Sequence, residues 1–196
     1  MILAISTRSV EVTFMIRTFV AVDLPESFVG AIAEIQQEFG GINVKLVDPK
    51  QVHITMKFLG DVQEKSIPDT CDALSSIECK PFSATIHGVG AFPKPSYARV
   101  VYVGASPKEA FKRLHAEVER VLKPLGFKKE RRAFTPHATI ARVKNIPDDQ
   151  RKKLVDVIER QSSIEVGTMT VGAIKLKKST LTPKGAIHET LTEVYL

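Results

Sequence analysis

His53-Ile54-Thr55-Met56-Lys57-Phe58-Leu59-Gly60 and His137-Ala138-Thr139-Ile140-Ala141-Arg142 read alike. Each is a short run of apolar and β-branched residues interleaved with polar ones, the pattern of a half-buried strand, and each opens on His-x-Thr. Along a strand, residues i and i+2 share a face. His53 and Thr55 therefore point one way and Ile54, Met56 and Phe58 the other; His137 and Thr139 oppose Ala138 and Ile140 in the same manner. The two histidines stand 137 − 53 = 84 residues apart.

Outward from these strands the likeness continues. Phe19-Val20-Ala21-Val22 and Val100-Val101-Tyr102-Val103 are β-branched strands that each lead into a helix start. Ser106 with Glu109 has the spacing of a capping box, with Pro107 at the first helical position, and Asp23, Pro25 and Glu26 offer the same parts in the first half. The spacing predicts helices over 26–38 and 107–122, the first with Phe28, Ile32, Ile35 and Phe39 on one face. After the His-x-Thr strands come second helices, about 67–77 and 147–161, opening at Pro68 and Pro147. A third strand follows in each half, 82–89 and 166–173, and keeps the 84-residue offset when Ile86 is matched to Thr170. Two β-α-β-α-β units, about 17–92 and 98–176, thus form an internal duplication within a single domain, 15–196, followed by a hairpin over 173–196 that turns at Thr182-Pro183-Lys184-Gly185. Residues 1–14 lie outside the repeat; either Met15 is the true start or Val10–Phe14 adds an edge strand.

The chain has 196 residues, 43% hydrophobic and 26% charged, enough for one compact domain or two small lobes sharing a core and too apolar for a disordered chain. No apolar run approaches the ~18 residues of a membrane span. Arg8 and Glu11 interrupt the leading segment, which fits a secretory signal poorly, so a cytoplasmic setting with no membrane partner is expected. Lys plus Arg minus Asp plus Glu gives 28 − 22 = +6, a balance that favours polyanions, nucleic acid above all. Cys71 and Cys79 make no disulfide framework, and no Cys/His spacing resembles a zinc site, so they are expected to be small half-buried hydrophobes and no metal is expected.

If the halves pack about a pseudo-twofold axis, both His-x-Thr pairs converge on one cleft. Two imidazoles and two hydroxyls suit phosphodiester transfer by acid and base. With an ordinary pKa of ~6.5, one imidazole is able to be neutral and take a proton while the other is charged and gives one. The hydroxyls of Thr55 and Thr139 donate to the non-bridging phosphoryl oxygens. The other histidines have no partner motif: His115 reads as solvated on a charged helix, His188 as part of the last hairpin, and His87 as a strand residue before Gly88. Lys128-Lys129-Glu130-Arg131-Arg132 stands just before the second motif, where Arg131 and Arg132 either guide a polyanion's backbone toward the cleft or belong to a merely solvated loop. Lys175, Lys177 and Lys178 read as hairpin charges. Gly88-Val89-Gly90 is no phosphate loop, since no helix follows it.

The paired motifs, together with the Arg17-Thr18-Phe19-Val20-Ala21 opening and the final hairpin, resemble the 2H phosphoesterases, and more closely the archaeal and bacterial RNA 2′,3′-cyclic phosphodiesterases long called 2′-5′ RNA ligases. The resemblance runs from about Ile16 to Leu196. It implies an α+β, bilobal fold whose two antiparallel sheets form a V-shaped cleft with helices packed outside. It implies opening of a terminal 2′,3′-cyclic phosphate to a 2′-phosphomonoester without metal or cofactor, and by microscopic reversibility 2′-5′ ligation. The partner implied is RNA with cyclic phosphate ends, such as tRNA fragments, and the protein a monomer. His53 would be the proton donor and His137 the acceptor. That order comes from the resemblance alone, because the sequence is nearly symmetric and the reverse order fits it equally. Five residues after each histidine stand Phe58 and Arg142, to which the resemblance gives a nucleotide contact and a phosphate contact. Strict alternation puts both on the face opposite the histidines, so each needs its strand to end or bulge first. Other readings are a phosphodiesterase for a small cyclic nucleotide or a cyclic ADP-ribose derivative, and a non-catalytic RNA-binding module.

Overall fold

Nine strands and four α-helices follow one another in the computed structural model, which describes residues 14–183 and 185–196. In chain order they are β1 (Met15–Asp23), α1 (Val29–Gln37), β2 (Val44–Leu46), β3 (His53–Gln63), α2 (Ile67–Ser75), β4 (Phe82–Phe92), β5 (Val100–Ser106), α3 (Lys108–Leu122), β6 (His137–Val143), α4 (Asp148–Arg160), β7 (Glu165–Val171), β8 (Ala173–Thr182) and β9 (Gly185–Tyr195). Local sequence accounts for most of these. In α3, Phe111, Leu114, Val118 and Leu122 recur at helical spacing and all are buried. That helix ends at Leu122, and Gly126, at φ +85, turns the chain out of the short 3-10 turn that follows. The alternative of an edge strand at Val10–Phe14 lies almost wholly outside the described residues; Phe14 precedes β1 and its carbonyl accepts from the Glu64 amide.

The strands form one antiparallel sheet in the order β7-β4-β5-β6-β3-β1-β8-β9, with β2 on the free part of β6. It is two lobes rather than one plane. β3, β1, β8 and β9 form the first lobe and β6, β5, β4 and β7 the second, and a single residue pair, Ile54↔Ala138, joins them. The two expected sheets are therefore one sheet pinched at its centre. Residues 54 and 138 are related by the 84-residue offset, so the pseudo-twofold axis passes through this bridge. Both side chains are fully buried and point into the core, and His53, Thr55, His137 and Thr139 consequently share the opposite face.

The lobes repeat a finer feature. Between β1 and β3 the register steps from Val20↔Lys57 to Ala21↔Thr55, leaving Met56 unpaired. Between β5 and β6 it steps from Val101↔Ala141 to Tyr102↔Thr139, leaving Ile140 unpaired. Each is a β-bulge, which adds one residue to a strand and reverses the faces beyond it. Two consecutive residues are buried at each bulge, Met56 with Lys57 and Ile140 with Ala141. Phe58 and Arg142 return to the histidine face.

Three local expectations are corrected. First, the strands matched as third members, over 82–89 and 166–173, are not counterparts: β4 and β7 lie side by side in the second lobe, with Ile86 opposite Gly167. The strand that occupies in the first lobe the place of β4 is β8, which pairs β1 as β4 pairs β5. Each half thus sends its last inner strand into the lobe of the other. Second, no side-chain caps open the first helices. Asp23 is taken by Lys177, and the Ser106 hydroxyl meets His87 Nε2 at 3.1 Å, while Pro107 stands one residue outside α3. Third, α2 ends at Ser75 rather than at 77; Cys71 within it and Cys79 after it are both half-buried and free.

Helices and motif strands are tied crosswise. Gln36 of α1 donates to the Ile140 carbonyl at the second bulge, 2.9 Å, and to Val47 O, 2.7 Å. Lys57, at the first bulge, is 2% exposed and donates to Glu119 of α3 at 2.6 Å and to the Lys128 carbonyl at 2.8 Å. The Glu130 amide also donates to Glu119, and His115 lies flat on Phe134, centroids 4.4 Å apart. His115 is thus packed rather than solvated, and this cluster fastens the basic 128–134 loop under the first lobe. Among the described residues no helix is long and apolar enough to cross a membrane.

Candidate active site

The bridge at Ile54↔Ala138 places His53 beside Thr139 and Thr55 beside His137. With ~3.3 Å per residue along a strand and ~5 Å between strands, the two histidine backbones stand on the order of 8 Å apart on one face, a span that brackets a single tetrahedral group. Each imidazole is fixed alike. His53 Nδ1 lies 2.7 Å from the Gln51 carbonyl and His137 Nδ1 2.7 Å from the Thr135 carbonyl. A carbonyl only accepts, so Nδ1 carries the proton in both and Nε2 is left for a ligand.

Each ring is also packed against two others, of different kinds. His53 stacks on Phe19, centroids 4.9 Å apart at 28°, and meets His188 edge-on at 5.2 Å. His137 meets Phe92 at 4.9 Å and Tyr102 at 5.4 Å, both at steep angles, and these two stack on each other at 4.5 Å. The second platform depends on Gly90, where a Cβ would fall 2.6 Å from the Tyr102 ring.

The charges are unequal. Asp23, opposite His53 in the β1·β3 register, receives Lys177 Nζ on both oxygens at 2.6 and 2.9 Å and has Lys175 at 3.3 Å. Burial acts to raise the Asp23 carboxyl, but the two lysines outweigh it and hold it below the usual carboxylate range. Burial pushes His53 down to about 4; the Gln51 carbonyl and Asp23 oppose this, while His188 and Lys177 add to it. His137 is also lowered by burial, against the Thr135 carbonyl, with no charged group acting on it. Both imidazoles are therefore mainly neutral in the free site at pH 7.

His53, Thr55, His137 and Thr139 come together as expected, and the bulges bring Phe58, 63% exposed, and Arg142 to the same face. Arg131 and Arg132 lie exposed on the loop entering β6, and neither is ion-paired among the described residues. Sequence reasoning missed His188, Lys177 and Asp23. Alternation along β8 puts Lys175 and Lys177 on one face, but pairing with Asp23 spans 154 residues and needs the strand exchange to be known. Among the described residues no three His, Cys, Asp or Glu side chains gather as a metal centre would require.

The 2′-5′ RNA ligase superfamily model matches residues 24–180. An RNA 2′,3′-cyclic phosphodiesterase of Methanocaldococcus jannaschii is 40% identical over 177 residues, covering 90% of this chain and 99% of the relative. One of Archaeoglobus fulgidus is 38% identical, covering 89% and 97%. Among solved structures, a Thermus thermophilus protein, 28% identical, superposes with a TM-score of 0.70 over 92% of this chain and 97% of that one. LigT of E. coli bound to 3′-AMP, 21% identical, shares the fold at a TM-score of 0.74 over 93% and 98%.

Proposed function

The chain belongs to the 2′-5′ RNA ligase superfamily, and from that premise we propose that it hydrolyses the 2′,3′-cyclic phosphodiester at an RNA end to a 2′-phosphomonoester, using two imidazoles and no metal. The observation that carries this reading is the mirrored constellation about the Ile54↔Ala138 bridge: two imidazoles with Nδ1 held by carbonyls, two threonines beside them, and a bulge after each pair. The names of the relatives supply the substrate class.

In this mechanism the cyclic phosphate enters between the lobes, with Thr55 and Thr139 donating to its non-bridging oxygens. His137 Nε2 takes a proton from a water, whose oxygen bonds to phosphorus. The bond from phosphorus to the 3′ oxygen breaks, and His53 Nε2–H protonates that oxygen, leaving a 3′ hydroxyl and a 2′-phosphate. His53 is neutral in the free site, so it gains its proton with the substrate. The phosphate anion favours the imidazolium, and Asp23 acts in the same direction on His53 alone. Arg142 holds a phosphate oxygen and Phe58 contacts the terminal nucleotide. With a 5′ hydroxyl in place of water, the same attack on the cyclic phosphate breaks the bond from phosphorus to the 3′ oxygen and leaves a 2′-5′ linkage beside a free 3′ hydroxyl.

The test is an oligoribonucleotide ending in a 2′,3′-cyclic phosphate, incubated with excess EDTA. The expected product is a 2′-phosphate, formed with a bell-shaped dependence on pH whose limbs belong to the coupled pair. A 3′-phosphate product, or activity abolished by EDTA and restored by a metal, overturns the mechanism. Turnover that is indifferent to oligonucleotide length favours a small cyclic nucleotide instead.

A further inference from the structure

Beyond the exchanged strand β8 the chain turns back as β9, which pairs along β8 and carries His188 onto His53. Three rings meet there: Phe19 lies along one side of His53, His188 stands edge-on to it at 5.2 Å and 88°, and His188 also meets Phe19 at 4.8 Å and 76°. The hydrogen bond from Nδ1 to the Gln51 carbonyl and the contacts with Phe19 and His188 together bound the His53 ring. Neither nitrogen of His188 makes a hydrogen bond among the described residues, and its Nδ1 is buried. The ring therefore acts through its shape and edges rather than as a donor or acceptor.

We propose that His188 is a positioning residue for the reaction assigned above, on which this inference rests: it closes the box that holds His53 in its productive orientation and shields it from water. His137 has the corresponding box from two aromatic rings, Phe92 on β4 and Tyr102 on β5, whereas His53 has one aromatic ring, Phe19 on β1, and a second imidazole, His188 on β9. The groups that face this pair are Asp23 from β1, Lys177 from β8 and, against His188, Arg142 from β6. Burial is the largest influence lowering His53, so opening the box reaches it directly.

His188→Ala and His188→Phe separate shape from chemistry. With the cyclic-phosphate oligoribonucleotide, His188→Ala is expected to lower kcat about 10-fold with KM nearly unchanged, as loss of orientation does. His188→Phe restores the wall, and kcat returns to within about 3-fold of wild type. In parallel, the His53 imidazole is followed by NMR without substrate. Its midpoint rises from about 4 in His188→Ala, as water enters, and stays close to wild type in His188→Phe. Equal loss of kcat in both variants with a raised KM would make His188 a substrate contact and overturn the proposal. So would an unmoved His53 midpoint and unchanged kcat in His188→Ala. The NMR arm needs no turnover, so failure of the assigned reaction in the wild type is told apart from failure of this inference.

Discussion

The two motif strands carry the same polar side chains in the same register, with a bulge at the same step, and their surroundings differ in kind. The first lobe places its histidine among Asp23, Lys177 and His188; the second packs its own against Phe92 and Tyr102, with no charge acting on it. Backbone geometry is thus duplicated while electrostatics are not. A reaction that moves a proton onto one oxygen and off another needs that arrangement, because identical imidazoles in identical fields have no preferred direction.

The largest expected effect tests whether both lobes take part. His53→Ala and His137→Ala should each lower turnover of the cyclic-phosphate oligoribonucleotide by about 10² to 10⁴. A loss confined to one variant breaks the paired assignment. Next, Lys57 and Ala141 occupy equivalent positions after the bulges, but only Lys57 is a buried cation, paired to Glu119. Lys57→Met leaves Glu119 uncompensated and should cost about 3–5 kcal/mol in urea unfolding, much of it recovered in the Lys57→Met, Glu119→Leu double variant.

A third test uses pH. His53 has a folded-state pKa of about 4 against an ordinary 6.5, so the unfolded chain binds the proton more tightly. Stability from this group is complete above pH 6.5, is lost as pH falls from 6.5 to 4, and is then constant. At about 1.4 kcal/mol per unit the loss is about 3 kcal/mol. His53→Gln should flatten that part of the stability curve, and His137→Gln, which removes an imidazole lowered by burial in the same direction, should also reduce the loss of stability below pH 6.5. Smallest are the contacts beyond the bulges. Arg142→Met and Phe58→Ala should each raise KM about 10-fold, the size of one charged hydrogen bond or one stacked base. Only the arginine variant should also lose part of the salt dependence.

Much of this was legible in the sequence. Strand and helix positions followed from periodicity, and the 84-residue offset aligned His53 with His137 and Thr55 with Thr139 because a repeat preserves register. Phe58 and Arg142 reach the histidine face only if alternation is broken, and the bulges break it. What local pattern does not carry is pairing between distant strands. The exchange of β4 and β8 made Thr170 a false counterpart of Ile86, and it alone brings Lys177 to Asp23 and His188 to His53. His115 looked solvated beside so many charges, yet Phe134, in a loop 19 residues away, covers it.

That exchange has a further consequence. A chain holding only one repeat would have its inner edge, β1 or β5, unpaired and its third strand projecting with nothing to join. Two such units complete each other reciprocally, as a domain-swapped homodimer does, and joining them by the 93–99 segment turns a second-order association into an intramolecular one. A protein nicked in that segment should therefore stay together and refold from its fragments, while neither fragment folds by itself.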